Sequence, residues 1–435
     1  MKTHGHLLRV LGVGFGLAVI IGNTIAAGIF GAPGVIAAQL PSPAPFLLVW
    51  IAAGVYALLG AVSLAELGTM IPRSGGQYVF SRYALGEYAG FIVGWSDWIS
   101  SCGSTAAVAL LIGTFSAALI PALAGKAVVV AAGVAILFAL LQWRGIIWGS
   151  NIQNFTSLIK ALAFVALIAA GFIFGGGGSF TTSETHAPSA ITLTAVIVSM
   201  QAAIYTYDGW AGVIYFSEEV THPGRDIPRS LLAGVLTIAG IYVLVNVALL
   251  YVLPITQIAG KEFAAGEAAN AIFGTHGDTI FRCLTIASML SGINALHLMA
   301  TRVIFAMSRD GLFTSKAAVV NEGGTPTVAL FLSAVVALLF IVFGQTFGRV
   351  IGVLAFFFVA NYILSFISLF VLRRREPEKP RPYRAWGYPV TTALALIGSV
   401  LFLAGAIWAE TENSMYALLL LAVSYPVFRM VKWLS

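Results

Sequence analysis

The sequence predicts an all-α polytopic membrane protein with twelve transmembrane helices, and three observations carry the prediction. First, 59% of the 435 residues are hydrophobic and only 9% are charged, against about a quarter charged in an ordinary soluble domain. Second, the apolar residues fall into runs of bilayer length. A span takes about 20 residues, so a dozen would use about 240 and leave the remainder for short connections. Third, runs such as Val128–Leu141 and Leu231–Leu253 are apolar on every face, whereas a strand of a membrane barrel alternates lipid-facing and lumen-facing side chains. Lipid offers no partner to exposed peptide groups, so a helical bundle is the architecture that remains.

Taken in order, apolar runs between charged or Pro/Gly-rich breaks give expected spans at 10–38, 45–71, 85–120, 127–143, 152–175, 191–218, 228–253, 279–309, 326–344, 348–372, 388–409 and 414–431. The first run is too long for a secretory core of about 7 to 15 residues and reads as a span. An even number of spans puts both termini on one side. Placing them in the cytoplasm leaves only Lys126, Lys261, Arg282 and Arg349 outside and Lys160 within a span; the other basic residues, from Lys2 to Lys432, lie inside, as the positive-inside rule requires. The expected location is therefore a cell membrane, of the bacterial inner-membrane type. The longest polar connections are 175–189, 254–278 and 373–387, so no attached soluble domain is expected.

The net charge of +6 does not indicate nucleic-acid binding, because the basic residues are spread among membrane flanks and form no single stripe. Cys102 and Cys283 sit in apolar runs and read as small buried hydrophobes, not as a disulfide or metal ligands. The six histidines are scattered, with no His-x-x-x-His pair, and no phosphate-cradling glycine-lysine motif occurs. The reading is accordingly of a non-enzyme, with no cofactor and no metal, and not of an ATP-driven pump.

Two spans carry interruptions. In the first, Gly22, Gly28, Gly31 and Pro33 fall at mid-membrane within Gly22–Gly34, a poor continuous helix. In the sixth, Tyr205-Thr206-Tyr207-Asp208-Gly209-Trp210 places a carboxylate beside a glycine in an apolar run. Spans one and six are corresponding members of two five-span halves, residues 1–175 and 191–372, followed by a pair at 388–431, all in one membrane domain. Matched interruptions of this kind point to an inverted-repeat transporter, whose half-helix N-termini face an anionic group while freed carbonyls receive a cation. A zwitterion fits. Peptide N–H groups at Ala27, Gly28 and Ile29 can hold an α-carboxylate, and carbonyls near Ile25 and Tyr205 can take an α-ammonium. The competing explanation is that the glycines simply allow close helix packing.

Five stretches resemble the amino acid/polyamine/organocation (APC) superfamily of permeases, with bacterial relatives of L-amino acid transporters as the nearest flavour. They are Ile21–Pro33, Ala65–Gly76, Ser217–Pro223, Ala306–Gly311 and Arg381–Pro389, and the likeness covers nearly the whole chain. The resemblance implies a LeuT-type fold of five plus five inverted helices with two appended, alternating access, and a backbone-lined amino acid site on helices one and six. It assigns Ile25, Ala26, Ala27, Gly28, Ile29, Tyr205, Thr206, Asp208 and Gly209 to substrate binding, with Tyr205 as a gating aromatic. It also implies that Lys160 in span five replaces a sodium ion and holds helix one by its carbonyls. Where the family commonly carries Gly-Ser-Gly, this chain has Ala26-Ala27-Gly28, so a serine contact to substrate is lost while main-chain donors survive.

The other membrane-depth charges divide between function and structure. Asp208 can bind an amine, carry a proton or cap the second half of helix six. Asp97 weighs toward a structural pairing, and Glu66, near Arg73, toward an inner-gate ion pair or an ordinary interfacial charge. Asn294 and His297 weigh toward helix-joining hydrogen bonds, and Phe356, Phe357 and Phe358 toward packing or lipid contact. The function expected is secondary amino acid transport, sodium-independent, by exchange or with proton coupling; the partners are an amino acid, the bilayer and, as a candidate co-substrate, the proton. The alternative is a carrier of polyamines or other organic cations, with a channel further behind because no selectivity rings are visible.

Overall fold

The computed structural model describes residues 7–26, 28–181, 191–344, 347–409 and 411–434. Among these the chain is helical, and extended pairing is limited to two isolated bridges, Leu11 with Val220 and Val320 with Pro326. The helices are α1 (Val13–Thr24), α2 (Gly28–Gln39), α3 (Pro43–Met70), α4 (Gln77–Leu85), α5 (Glu87–Leu119), α6 (Ala127–Trp143), α7 (Ile146–Phe174), α8 (Gly178–Thr181) and α9 (Leu193–Tyr207). They continue as α10 (Pro223–Val252), α11 (Ile255–Ile258), α12 (Ala264–Phe273), α13 (Gly277–Arg309), α14 (Thr327–Gly344), α15 (Phe347–Arg375), α16 (Val390–Ala409) and α17 (Thr411–Leu434).

Among the described residues nine helices are long and apolar enough to cross a bilayer, and α1 and α2, bent by 48° at their break, together have the length and apolarity of one more. The protein is therefore a polytopic membrane protein. Two expected spans are realised by shorter helices: 127–143 is the 17-residue α6, and 191–218 contains only the 15-residue α9 before the helix dissolves. The expected polar connection 254–278 is partly helical, as α11 and α12, and α12 presents an alanine-rich face that packs against α13 and α2.

Helices α5, α13 and α3 are the centre of the bundle. Each runs 28 to 33 residues and buries most of its side chains, with small residues such as Gly94, Gly103, Ala106, Ala109 and Gly113 along α5 letting neighbouring backbones approach. By contrast α7, α14, α16 and α17 keep large apolar side chains exposed, among them Phe155, Leu162, Phe343, Leu401 and Leu419. Such outward grease matches a lipid-facing periphery. Cys102 is buried in α5, but Cys283 is exposed, which corrects the expectation of two buried thiols: an apolar run in a membrane helix includes the face turned outward.

On the side where the N-terminal segment begins, ion pairs bind elements together. Glu219, fully buried, accepts from both Arg302 Nε and Nη2 at 3.0 and 2.9 Å. Arg309 pairs with Glu218 at 2.7 Å and Arg73 with Asp310 at 2.9 Å. The Leu11–Val220 bridge adds backbone hydrogen bonds, Leu11 N–H to the Glu219 carbonyl and Thr221 N–H to the Leu11 carbonyl, both 2.9 Å. The segment entering α1 is thus tied to the segment leaving the α9 region.

Candidate substrate site

Two helix breaks face each other in the core. α1 stops at Thr24 and α2 starts at Gly28, with Ile25 and Ala26 non-helical between them. α9 stops at Tyr207; Asp208 is extended, Gly209 has φ +105°, and a short 3-10 turn covers Gly212–Phe216. That φ belongs to glycine, and a Cβ there would lie 2.7 Å from the Asn23 side chain. The first break also needs its glycine, because a Cβ on Gly28 would stand 3.0 Å from the Thr206 Cα.

A break at membrane depth frees peptide carbonyls, each costing several kcal/mol in hydrocarbon if left alone. Side chains from other helices meet them. The Lys160 ammonium, on α7 and completely buried, donates to the Gly22 carbonyl at 2.8 Å and to the Ile25 carbonyl. Ser288 of α13 donates to the same Ile25 oxygen at 3.3 Å. The Tyr242 hydroxyl of α10 lies 2.7 Å from the Thr24 carbonyl and 3.0 Å from the Thr206 carbonyl, so one phenol serves both breaks. One turn earlier, Gln153 and Ser157 donate to the Ala18 carbonyl at 3.0 and 2.7 Å. Asn294 braces Gln153 from α13, donating to its Oε1 at 2.8 Å.

Between the breaks lies a cavity of about 80 Å³. Ala26, Gly28, Tyr205, Thr206, Asp208 and Gly209 all line it, together with Asn23 and Thr24. Of the other residues expected in the site, Ile25 and Ile29 are fully buried beside it and are not among its lining, while Ala27 lies outside the described residues. The Ile25 carbonyl is engaged by Lys160 and Ser288, and the Tyr205 carbonyl accepts the Asp208 N–H at 3.1 Å. Asp208 in turn accepts from the Tyr362 hydroxyl at 2.8 Å, and Tyr362 stacks on Trp210 with ring centres 4.9 Å apart.

Glu66 is not in this cavity, and Arg73 is not its partner. It is fully buried and accepts from Arg373 at 2.6 Å, from the Ala385 N–H at 2.7 Å and lies 3.0 Å from Arg381 Nε. Arg73 is drawn instead to Asp310, and the last turn of α15 and the chain after it supply the cations, Arg373 and Arg381, that sequence distance concealed. Phe358 lines the cavity, contrary to its expected packing role, while Phe357 is fully buried. Gln77, Asp97, Ser101, Ser104, Tyr215, Asn361 and Tyr362 are lining residues that the sequence reading left out of the site. Ser101, Ser104 and Asp97 did carry a signal, a polar stripe at three- and four-residue spacing in an apolar helix.

An apolar helical bundle with two broken helices facing a small central cavity has the form of a polytopic membrane transport protein. The family model described as "Amino acid permease" matches residues 15–425, and the chain belongs to that family, within the APC superfamily. It is 27% identical to the serine/threonine exchanger SteT of Bacillus subtilis (strain 168), over 97% of this chain and 96% of that protein. It is also 27% identical to the b(0,+)-type amino acid transporter 1 of Mus musculus, over 86% of this chain and 78% of that one. Its identity to the large neutral amino acids transporter small subunit 2 of Mus musculus is 26%, over 97% and 81% of the two chains.

Proposed function

We propose that this permease moves α-amino acids across the membrane by alternating access, without sodium, on a twelve-span scaffold of five plus five inverted helices and an added pair, with both termini cytoplasmic. The observation that carries the reading is the Lys160 ammonium on the Gly22 and Ile25 carbonyls. A fixed covalent cation occupies the place where the freed carbonyls of a broken helix would otherwise call for a metal ion. The solute's α-carboxylate goes to the N-terminus of α2, where Gly28 and Ile29 belong to the first turn, whose N–H groups have no intrahelical acceptor and form the positive end of the dipole. Its α-ammonium goes to the second break, where Asp208 and the remaining carbonyl lone pairs offer acceptors. Tyr205 closes the cavity over the solute, and Glu66 holds the segment 376–389 against α3.

The ion pairs at Glu218, Glu219 and Asp310 seal the N-terminal side of the cavity in this conformation. On the other side a separate hollow of about 690 Å³ opens among α5, α12 and α13, lined by Leu111, Phe115, Lys261, Phe281 and Arg282. Val108 of the cavity and Leu111 of the hollow are one turn apart on α5. A solute arriving from that side therefore meets a thin barrier, and one leaving by the other must part the salt bridges. The test is uptake by purified protein in phospholipid vesicles, with choline replacing sodium, amino acids loaded inside or omitted, and an imposed pH gradient. Saturable amino acid uptake that survives sodium removal is expected; dependence on trans amino acid selects exchange, and dependence on the gradient selects proton coupling. Uptake that requires sodium, or a polyamine carried in place of amino acids, would defeat the reading.

A further inference from the structure

Two carboxylates line the one cavity, and no lining residue is a lysine or arginine. Asp97, on α5, is 3% exposed, and its donor among the described residues is the Tyr215 hydroxyl, 2.8 Å from each oxygen. One O–H can fill only one of the roughly four acceptor positions of a carboxylate. Asp208 receives the Tyr362 hydroxyl on Oδ1. Neither is joined to a cation among the described residues, and such a group at membrane depth is costly unless a positive charge meets it. Lys160 donates to carbonyls of the first break but does not line the cavity.

The charge balance decides what solute relieves this. With both carboxylates ionised and Lys160 protonated, the site carries one net negative charge, which a zwitterion leaves in place. An amino acid bearing one further positive charge brings the sum to zero. The lining residues of α5, Val108, Ser104, Ser101 and Asp97, fall at three- and four-residue intervals along one wall. The Val108 end is near the first break, since a Cβ on Gly292 would lie 3.5 Å from the Gly22 carbonyl and 4.0 Å from Val108. Asp97 is at the far end of the stripe. We propose that the cavity is built for α-amino acids with a cationic side chain, and that Asp97 is the specificity residue that receives the distal ammonium or guanidinium. The proposal rests on the amino acid reading above, in which the breaks hold the amino-carboxylate head.

Lysine and norleucine share a carbon chain and differ in the terminal ammonium, so they isolate the group in question. In vesicles containing the wild-type protein, lysine is expected to compete for uptake at concentrations at least about tenfold below norleucine. Asp97→Asn should erase that preference, read as the ratio of lysine to norleucine competition so that any general loss of uptake cancels, and Asp97→Glu should retain it. Equal competition by norleucine and lysine on the wild type would overturn the inference while leaving amino acid transport intact, as would equal loss of both in Asp97→Asn. Failure of every α-amino acid to move or compete would instead bring down the reading on which it rests. Should Asp97→Asn not fold, thermal stabilisation of the detergent-purified wild type by lysine but not norleucine decides the question; stabilisation by both alike overturns the inference.

Discussion

Replacing Lys160 by methionine removes the ammonium while keeping an unbranched side chain of similar length, so little cavity is created. Two charge-assisted hydrogen bonds are lost, at about 1.5–3 kcal/mol each, which is a gross loss of about 3–6 kcal/mol. Against it stands the several kcal/mol that burying an ammonium costs and that methionine avoids. Ile25 keeps Ser288 as a donor, but the Gly22 carbonyl loses the ammonium it faces, a penalty of about 1–3 kcal/mol. The fold should therefore survive with a melting temperature lower by only a few degrees, whereas the break it positions should lose its geometry. Uptake by Lys160→Met in vesicles is expected to drop at least about tenfold, as positioning errors near 1 Å can cost 10²-fold. Melting curves in detergent separate the two effects. Wild-type uptake rates for Lys160→Met, with every substrate and gradient tried, would refute the claim that this cation organises the first break.

Tyr242→Phe removes the one hydroxyl that serves both breaks, and should destabilise by about 1–3 kcal/mol with a larger fall in uptake than in melting temperature; parallel declines would mark it as simple packing. Gly209→Ala forces a side chain into a φ of +105° and toward Asn23, with an expected cost of about 1–3 kcal/mol and lost uptake, read by thermal melting and vesicle assay. Arg302→Met alone strands the buried Glu219 carboxylate and should cost about 3–5 kcal/mol, while the double change Arg302→Met with Glu219→Leu should recover much of it. A double variant no more stable than the single one would contradict that account.

The fold class was legible because bilayer length and all-round apolarity are local properties, visible in runs such as Leu231–Leu253 without any knowledge of neighbours. The breaks were legible for the same reason: Gly28 and Asp208 violate helix preference where they stand, although Pro33, read with them, lies inside α2 and not at the break. Partners were harder to see. Glu66 reads naturally with Arg73, seven residues on, yet forms its ion pairs with Arg373 and Arg381 more than three hundred residues away, because only the packing of α3 against the end of α15 and the segment after it sets that choice. Tyr215, Tyr242 and Tyr362 looked like ordinary aromatics of apolar segments. Their hydroxyls become decisive only when the 3-10 turn brings Tyr215 to Asp97, α10 brings Tyr242 to Thr24 and Thr206, and α15 brings Tyr362 to Asp208. The cavity wall on α5 lies between these cases, since its serines recur at helical spacing, but nothing in the sequence says which face of α5 meets the breaks.

The two breaks are held in unlike ways, and the difference bears on what can move. The first is fastened to α7, α10 and α13 by Lys160, Tyr242 and Ser288 acting on its carbonyls. The second shares Tyr242 through the Thr206 carbonyl and is otherwise held by acceptor chemistry, with the Asp208 carboxylate taking the Tyr362 hydroxyl and the nearby Tyr215 hydroxyl donating to Asp97. A cationic group arriving in the cavity competes directly with those two phenols for carboxylate lone pairs, whereas nothing in a zwitterion displaces the lysine from its carbonyls. On the proposed reading, solute binding therefore acts first on the second break and on the segment running from it to Glu218 and Glu219. That segment carries the ion pairs of Glu218 with Arg309 and Glu219 with Arg302, so under the proposed alternating access a loosening at Tyr215 reaches, through a single 3-10 turn, the pairs that would have to part for release.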